Sequence, residues 1–162
     1  MSATNGGKTA AKHFKGNVTT LFALMQEGVS EGMSVVITRA VQETPEDTGA
    51  SRANWQFVKS LSDVAEFNEN KTGHQQVYNQ AAKLLDSKTH NKFGFNGNEY
   101  YLANPTPYAV NYELGRYPRN TDSPKTTAAG FSVQAPKGVV NAYEKQDAVT
   151  LANTVKTYIK GY

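Results

Sequence analysis

The chain has 162 residues, 38% of them hydrophobic and 19% charged, with a formal net charge of +3 and no cysteine. That length suits a single domain with a real core, and the missing cysteines exclude disulfide scaffolds, thiolate catalysis and Cys-based zinc sites. The lysines are scattered without a run of like charge, so the basic balance does not mark a strong nucleic-acid footprint. It leaves a basic lumen formed on oligomerisation as an open alternative.

Residues 1–16 are polar, carry Gly6, Gly7 and Gly16, and show no hydrophobic period. They read as a flexible N-terminal arm, either plain terminal disorder or an arm that orders against a neighbouring subunit. Val18, Leu21, Phe22, Met25, Val29, Met33, Val36, Ile37, Ala40 and Val41 then recur at helical spacing, with Asn17 as N-cap. The helix ends before Pro45, which disfavours helical geometry at Thr44. Gly28 and Gly32 lie inside it, four residues apart. Each costs up to ~1 kcal/mol relative to Ala, which predicts the close approach of another backbone. Neither this helix nor any other stretch reads as a signal peptide or membrane span.

Thr44, Pro45, Asp47 and Gly49 make a turn, in which Asp47 is placed to cap a short helical turn running to Arg52. Trp55, Phe57 and Leu61 alternate with Gln56, Val58 and Ser60, which predicts a strand over 55–60, extendable to Glu66, with Trp55 as a core anchor. A loop over 67–73 precedes a second helix over 75–86, built on Val77, Ala81, Leu84 and Leu85. Residues 87–98 form another loop, and a short aromatic strand spans 99–103. A helical turn over 108–114 follows Pro107. A long loop covers 116–129. Phe131, Val133 and Ala135 alternate as a further strand, ended by Pro136 and Gly138. Val139, Val140, Tyr143, Ala148, Leu151, Val155 and Tyr158 outline a final helix.

The resulting fold class is α+β, with two long helices packed on one face of a small antiparallel β-sheet, long loops and the flexible arm. The arm (1–16) precedes a single domain over 17–162.

Candidate chemistry is sparse. Asp47-Thr48-Gly49-Ala50 shares its letters with the catalytic segment of retroviral-type aspartic proteases, and Leu114-Gly115-Arg116 echoes a later segment of that family. The chemistry needs an Asp at the end of a buried apolar strand, paired with a second Asp across a dimer. Here polar Thr44-Pro45-Glu46 precedes it, after a helical pattern. His13, His74 and His90 are isolated from one another and make no metal-ligand spacing. No phosphate-binding loop or nucleophile elbow is present. Glu43, Glu46 and Asp47 read as a solvated capping turn rather than a hydrolase pair. The tyrosines, among them Tyr100-Tyr101 and Tyr108 with Tyr112, lack a basic run beside them, which favours a protein interface over base stacking.

Three stretches carry a resemblance: Thr44-Pro45-x-Asp47-Thr48-Gly49-x-x-Arg52-Ala53-x-Trp55 after a long helix, Asn104-Pro105-x-Pro107-Tyr108-Ala109 followed by Tyr112-Glu113-x-Gly115, and Ala135-Pro136-Lys137-Gly138-Val139 before the last helix. In this order they resemble the tail-completion and neck (head–tail joining) proteins of tailed bacteriophages, over most of 18–159. The resemblance implies a structural virion protein without catalysis, cofactor or metal. It implies a homo-oligomeric, commonly hexameric, ring at the head–tail junction that meets connector or adaptor proteins on one side. On the other it meets tail tube or tail terminator proteins, with non-specific DNA passage through the lumen and no membrane contact. Such a protein is made in the host bacterial cytoplasm and resides in the virion. A tail terminator or minor tail protein is the alternative within the same class. Within the motifs, Arg52 is expected to pair with Asp47 or Glu113, the 104–107 segment to form a fixed loop, and the 116–129 loop to touch a neighbouring ring.

Overall fold

The computed structural model describes residues 5–46, 49–85, 99–117 and 125–160. Helix α1 spans Asn5–Glu43 and is the longest element. It is about 58 Å long at 1.5 Å per residue. It begins well before the expected start, so Asn17 lies inside the helix rather than capping it, and residues 5–16 continue the same helix. The absence of a hydrophobic period hid this segment. Its Lys and Ala residues are good helix formers, and a helix already nucleated by the packed half propagates at one hydrogen bond per residue. Thr19 and Thr20 donate their hydroxyls to the carbonyls of Lys15 and Gly16.

Helix α1 ends where expected. Thr44 leaves the helix before Pro45, and its hydroxyl donates to Ala40 O at 2.7 Å. A one-turn helix α2, Ala50–Ala53, follows. Its N-cap is Gly49, in left-handed geometry at φ 79°, with no side-chain cap; glycine adopts this conformation without the Cβ penalty. Asp47 and Thr48, and with them the expected Asp47 cap, lie outside the described residues.

Strand β1 is Gln56–Val58 and pairs antiparallel with β2, Tyr101–Ala103, in the register Phe57 opposite Leu102. The expected extension towards Glu66 is not a strand. The chain instead makes a 3-10 turn, Leu61–Asp63, and Leu61 is 62% exposed. The reason lies in two side-chain amides. Gln56 donates to Ala65 O and accepts from Ala65 N, while Asn54 does the same with Asn68. These amides occupy the backbone groups that a ladder would have used, so residues 61–68 fold back over polar side chains. For the same reason Gln56 and Asn54 are buried alongside Phe57 and Val58, and β1 does not alternate.

Helix α3, Gln75–Leu85, lies on β1 and also touches α1. Gln80 accepts the Phe57 N–H at 3.0 Å. Helix α4, Ala109–Leu114, is a short segment ending at Gly115, φ 65°. The expected strand through Phe131, Val133 and Ala135 is replaced by successive tight turns held by isolated bridges, Thr126 with Ser132 and Ser132 with Ala135. Ser132 and Ala135 face inward while Val133 is 49% exposed, so the alternation in the sequence did not mark a buried face. Helix α5 is Glu144–Ile159, starting later than Val139.

The architecture is helix-rich α+β around a two-stranded antiparallel sheet. The two long helices pack on each other rather than side by side on the sheet, and the shorter α3 covers β1. They run antiparallel, because Arg39 meets Asp147 while Gly28 meets Val155 and Tyr158. The predicted close approach at the two glycines is present. A Cβ on Gly28 would sit 2.8 Å from Val155 Cα, and one on Gly32 would sit 2.7 Å from the Leu151 side chain. The core joins Ile37, Ala40 and Val41 of α1 to Trp55, Phe57, Val77, Ala81, Tyr112, Ala135 and Val139. Each of the larger apolar side chains contributes about 1.5–3 kcal/mol by burial. Phe57 also stacks on Tyr100, with centroids 5.7 Å apart and planes 5° from parallel. Among the described residues, no helix is long and apolar enough to cross a membrane.

Candidate functional site

The three motif stretches, far apart in sequence, converge on the C-terminal end of α1. Trp55, 3% exposed, donates its indole N–H to Thr44 Oγ1 at 2.8 Å, so the first motif closes on itself through one buried hydroxyl. Arg52 closes the same turn from outside. Its guanidinium donates to Thr44 O at 2.7 Å and Gln42 O at 2.9 Å, and it forms an ion pair with Glu46. It satisfies carbonyls that the end of α1 leaves open. The expected pairing of Arg52 with Glu113 is therefore replaced by Glu46, since Arg52 faces back along its own turn. Asp47, the other expected partner, lies outside the described residues.

The second motif joins the first through two contacts. Asn104 donates its side-chain amide to Ser51 O at 2.9 Å. Ser51 Oγ and Tyr112 Oη are hydrogen-bonded at 3.2 Å in a buried setting. Burial pushes the Tyr112 phenol up to about 12, helped by the nearby Glu113 charge and opposed by the Ser51 bond. The Pro105–Pro107 turn is braced internally, with Asn104 Oδ1 accepting from both the amide and the hydroxyl of Thr106. Tyr108 sits edge-on to Phe67 at 6.2 Å.

The third motif is tied to the second by Glu113. Its carboxylate accepts the backbone N–H groups of Val139, Val140 and Asn141 at 2.5–3.1 Å. Gly138 allows this approach. It adopts φ 88°, and a Cβ there would sit 2.8 Å from Glu113 O. Gly115 is likewise confined, since a Cβ would meet the Phe131 ring at 2.6 Å. Pro136 is exposed beside it. A further tie returns to the start: Glu46 N donates to Gln134 Oε1 at 2.5 Å.

Sequence reasoning did not single out Arg39, which locks the end of this knot to α5. It forms a two-pronged pair with Asp147, donates to Val139 O at 2.7 Å and lies 4.3 Å over the Tyr143 ring. An arginine inside a helical pattern carries no signal for a partner more than a hundred residues away. Glu43, from the acidic cluster, accepts from Tyr143 Oη at 3.4 Å.

Among the described residues, no buried side-chain nitrogen or oxygen is left without a hydrogen-bond partner, and no group of three or more His, Asp or Glu could hold a metal. His74 packs edge-on to Tyr78, His13 is exposed on α1, and His90 lies outside the described residues. The arrangement defines a turn-and-cap knot that fixes the relative positions of α1, the sheet and α5. No family model, curated protein or solved structure matches the chain.

Proposed function

We propose that this protein is a structural virion protein of a tailed bacteriophage, forming a ring at the head–tail junction that completes the tail and joins it to the head connector. DNA passes through the lumen, and the protein performs no catalysis. The observation that carries this reading is the convergence of the three resembling motifs into one hydrogen-bonded knot. Arg52, Asn104, Tyr112 and Glu113 direct their polar groups at neighbouring backbone and side chains of the same knot. Residues used to brace a scaffold in this way suit a component selected for rigid shape. The 116–129 loop, of which 118–124 lie outside the described residues, is the candidate contact with a neighbouring ring.

Two measurements test the reading. Averaged electron micrographs of purified virions, with the protein labelled, should show a closed ring between head and tail. Deleting 118–124 should leave the chain folded and yield heads and tails that fail to join. Absence of the protein from purified virions would overturn the proposal, and specific peptide cleavage lost on Asp47→Asn would replace it with the protease alternative.

A further inference from the structure

Two unusual surfaces lie at opposite ends of α1. The first is the beginning of the helix. Every residue over 12–17 is exposed, and Phe14 is 72% exposed. Phe14, Val18, Leu21, Met25, Gly28 and Gly32 recur at alternating intervals of four and three, the spacing of one continuous helix–helix seam. Helix α5 covers this seam at Gly32 and Gly28, where Tyr158 lies one residue before its end at Ile159. Toward the start of the helix Met25, Leu21 and Val18 are half-buried, and the seam ends in the exposed Phe14. A helical segment exposed all round and containing Gly16 is marginal in water, so this one calls for a partner. Its charge is one-sided. Lys12 and Lys15 flank Phe14 within it, Lys8 precedes them in the sequence, and the first acidic residue of the chain is Glu27.

The second surface is the 61–69 edge. Leu61 is 62% exposed, and Asp63, Glu66 and Glu69 are all exposed, with no Lys or Arg between Lys59 and Lys71. This edge is pinned near the far end of α1, through Asn54 to Asn68 and Trp55 to Thr44. Phe14 and Thr44 are separated by about 45 Å of helix, so the basic start and the acidic edge of one chain cannot meet. Pairing two basic starts about a two-fold axis would set lysine against lysine, which is repulsive.

We propose that the basic start of α1 docks, through Phe14 and its flanking lysines, onto the acidic 61–69 edge of a second copy of this chain. The contact is head-to-tail, so each copy offers one donor surface and one acceptor surface, and repetition generates a closed ring or an open filament. It deepens the ring reading and rests on that reading for closure.

The test uses the full chain and sedimentation velocity, with Lys8/Lys12/Lys15→Glu as one variant and Asp63/Glu66/Glu69→Lys as the other. Wild-type protein should associate at low salt and dissociate at high salt. Each variant alone should associate at least about tenfold more weakly. An equimolar mixture of the two should recover association, because each reversed surface then meets its complement, and recovery also shows that both variants are folded. A wild-type chain that stays monomeric at low salt, or a mixture that fails to recover, overturns the contact. So does retention of a short DNA duplex by monomeric wild type but not by the lysine variant, which assigns the basic start to nucleic acid. A virion ring that survives both reversals removes this contact and leaves the ring reading standing. Recovery by mixing in a protein absent from virions does the reverse.

Discussion

The Glu113 carboxylate accepts the backbone N–H of Val139 at 2.7 Å, and through Val140 and Asn141 it holds the whole approach to α5. A charged acceptor shared by successive backbone donors is among the stronger hydrogen-bonded arrangements. Glu113→Gln keeps the size of the side chain but turns an NH2 group toward donors. Stability should fall by about 1.5–3 kcal/mol, measured by urea denaturation. A midpoint unchanged from wild type would show that the 139–141 turn holds itself.

The glycines of α1 separate a packing requirement from helix propensity. Gly28→Ala places a methyl 2.8 Å from Val155 Cα, a backbone atom that can move only with α5. It should destabilise by about 1–3 kcal/mol despite the gain in propensity. Gly32→Ala should cost less, because its nearest contact is the movable end of Leu151. Gly16→Ala meets nothing within 4 Å and should stabilise by up to ~1 kcal/mol. Thermal melts of the three variants check the order, and a Gly28 variant as stable as the Gly16 variant would refute the close packing of α1 on α5.

Arg39 and Asp147 should behave as one unit. Arg39→Lys keeps the charge but loses the fork that reaches both carboxylate oxygens and Val139 O. A loss of about 1–3 kcal/mol is expected. Asp147→Asn should cost a similar amount, and the double variant should cost less than the sum. Additive losses in the double-mutant cycle would show that the pair is not coupled.

Tyr112 predicts an alkaline limb in the stability profile. Its phenol is raised from 10.0 to about 12 in the folded chain. Below pH 10 both folded and unfolded forms are protonated, and the contribution is complete. As pH rises from 10 towards 12 the unfolded chain loses its proton first, so stability falls, by on the order of 2–3 kcal/mol across that window. Tyr112→Phe should be less stable at neutral pH through loss of the Ser51 bond, yet lose less stability between pH 10 and 12. Parallel pH profiles for the two proteins would assign the limb to other groups.

Periodicity and punctuation determined several elements by local physics. The end of α1 before Pro45, helix α3, the β2 strand and α4 all follow from side-chain spacing and from residues that restrict the backbone. The cost of Gly28 and Gly32 in a helix already implied a neighbouring backbone, and α5 is that neighbour. The first motif was likewise legible as a turn and the second as a fixed loop, whereas the third read as a strand end running into the last helix and is a series of turns. Tertiary structure decided what those turns bind. Leu61 looked like a core residue, but Gln56 and Asn54 captured the backbone of 65 and 68 and turned the chain away from the sheet. Phe131, Val133 and Ala135 alternated like a strand, but among the described residues they join no ladder beyond isolated bridges, and local turns satisfied the same groups. Arg52 chose Glu46 over Glu113, and Glu113 chose three backbone donors, because each charge took the partners its backbone placed within reach. Spacing along the chain specifies which groups need partners; only the packed fold specifies which partners they find.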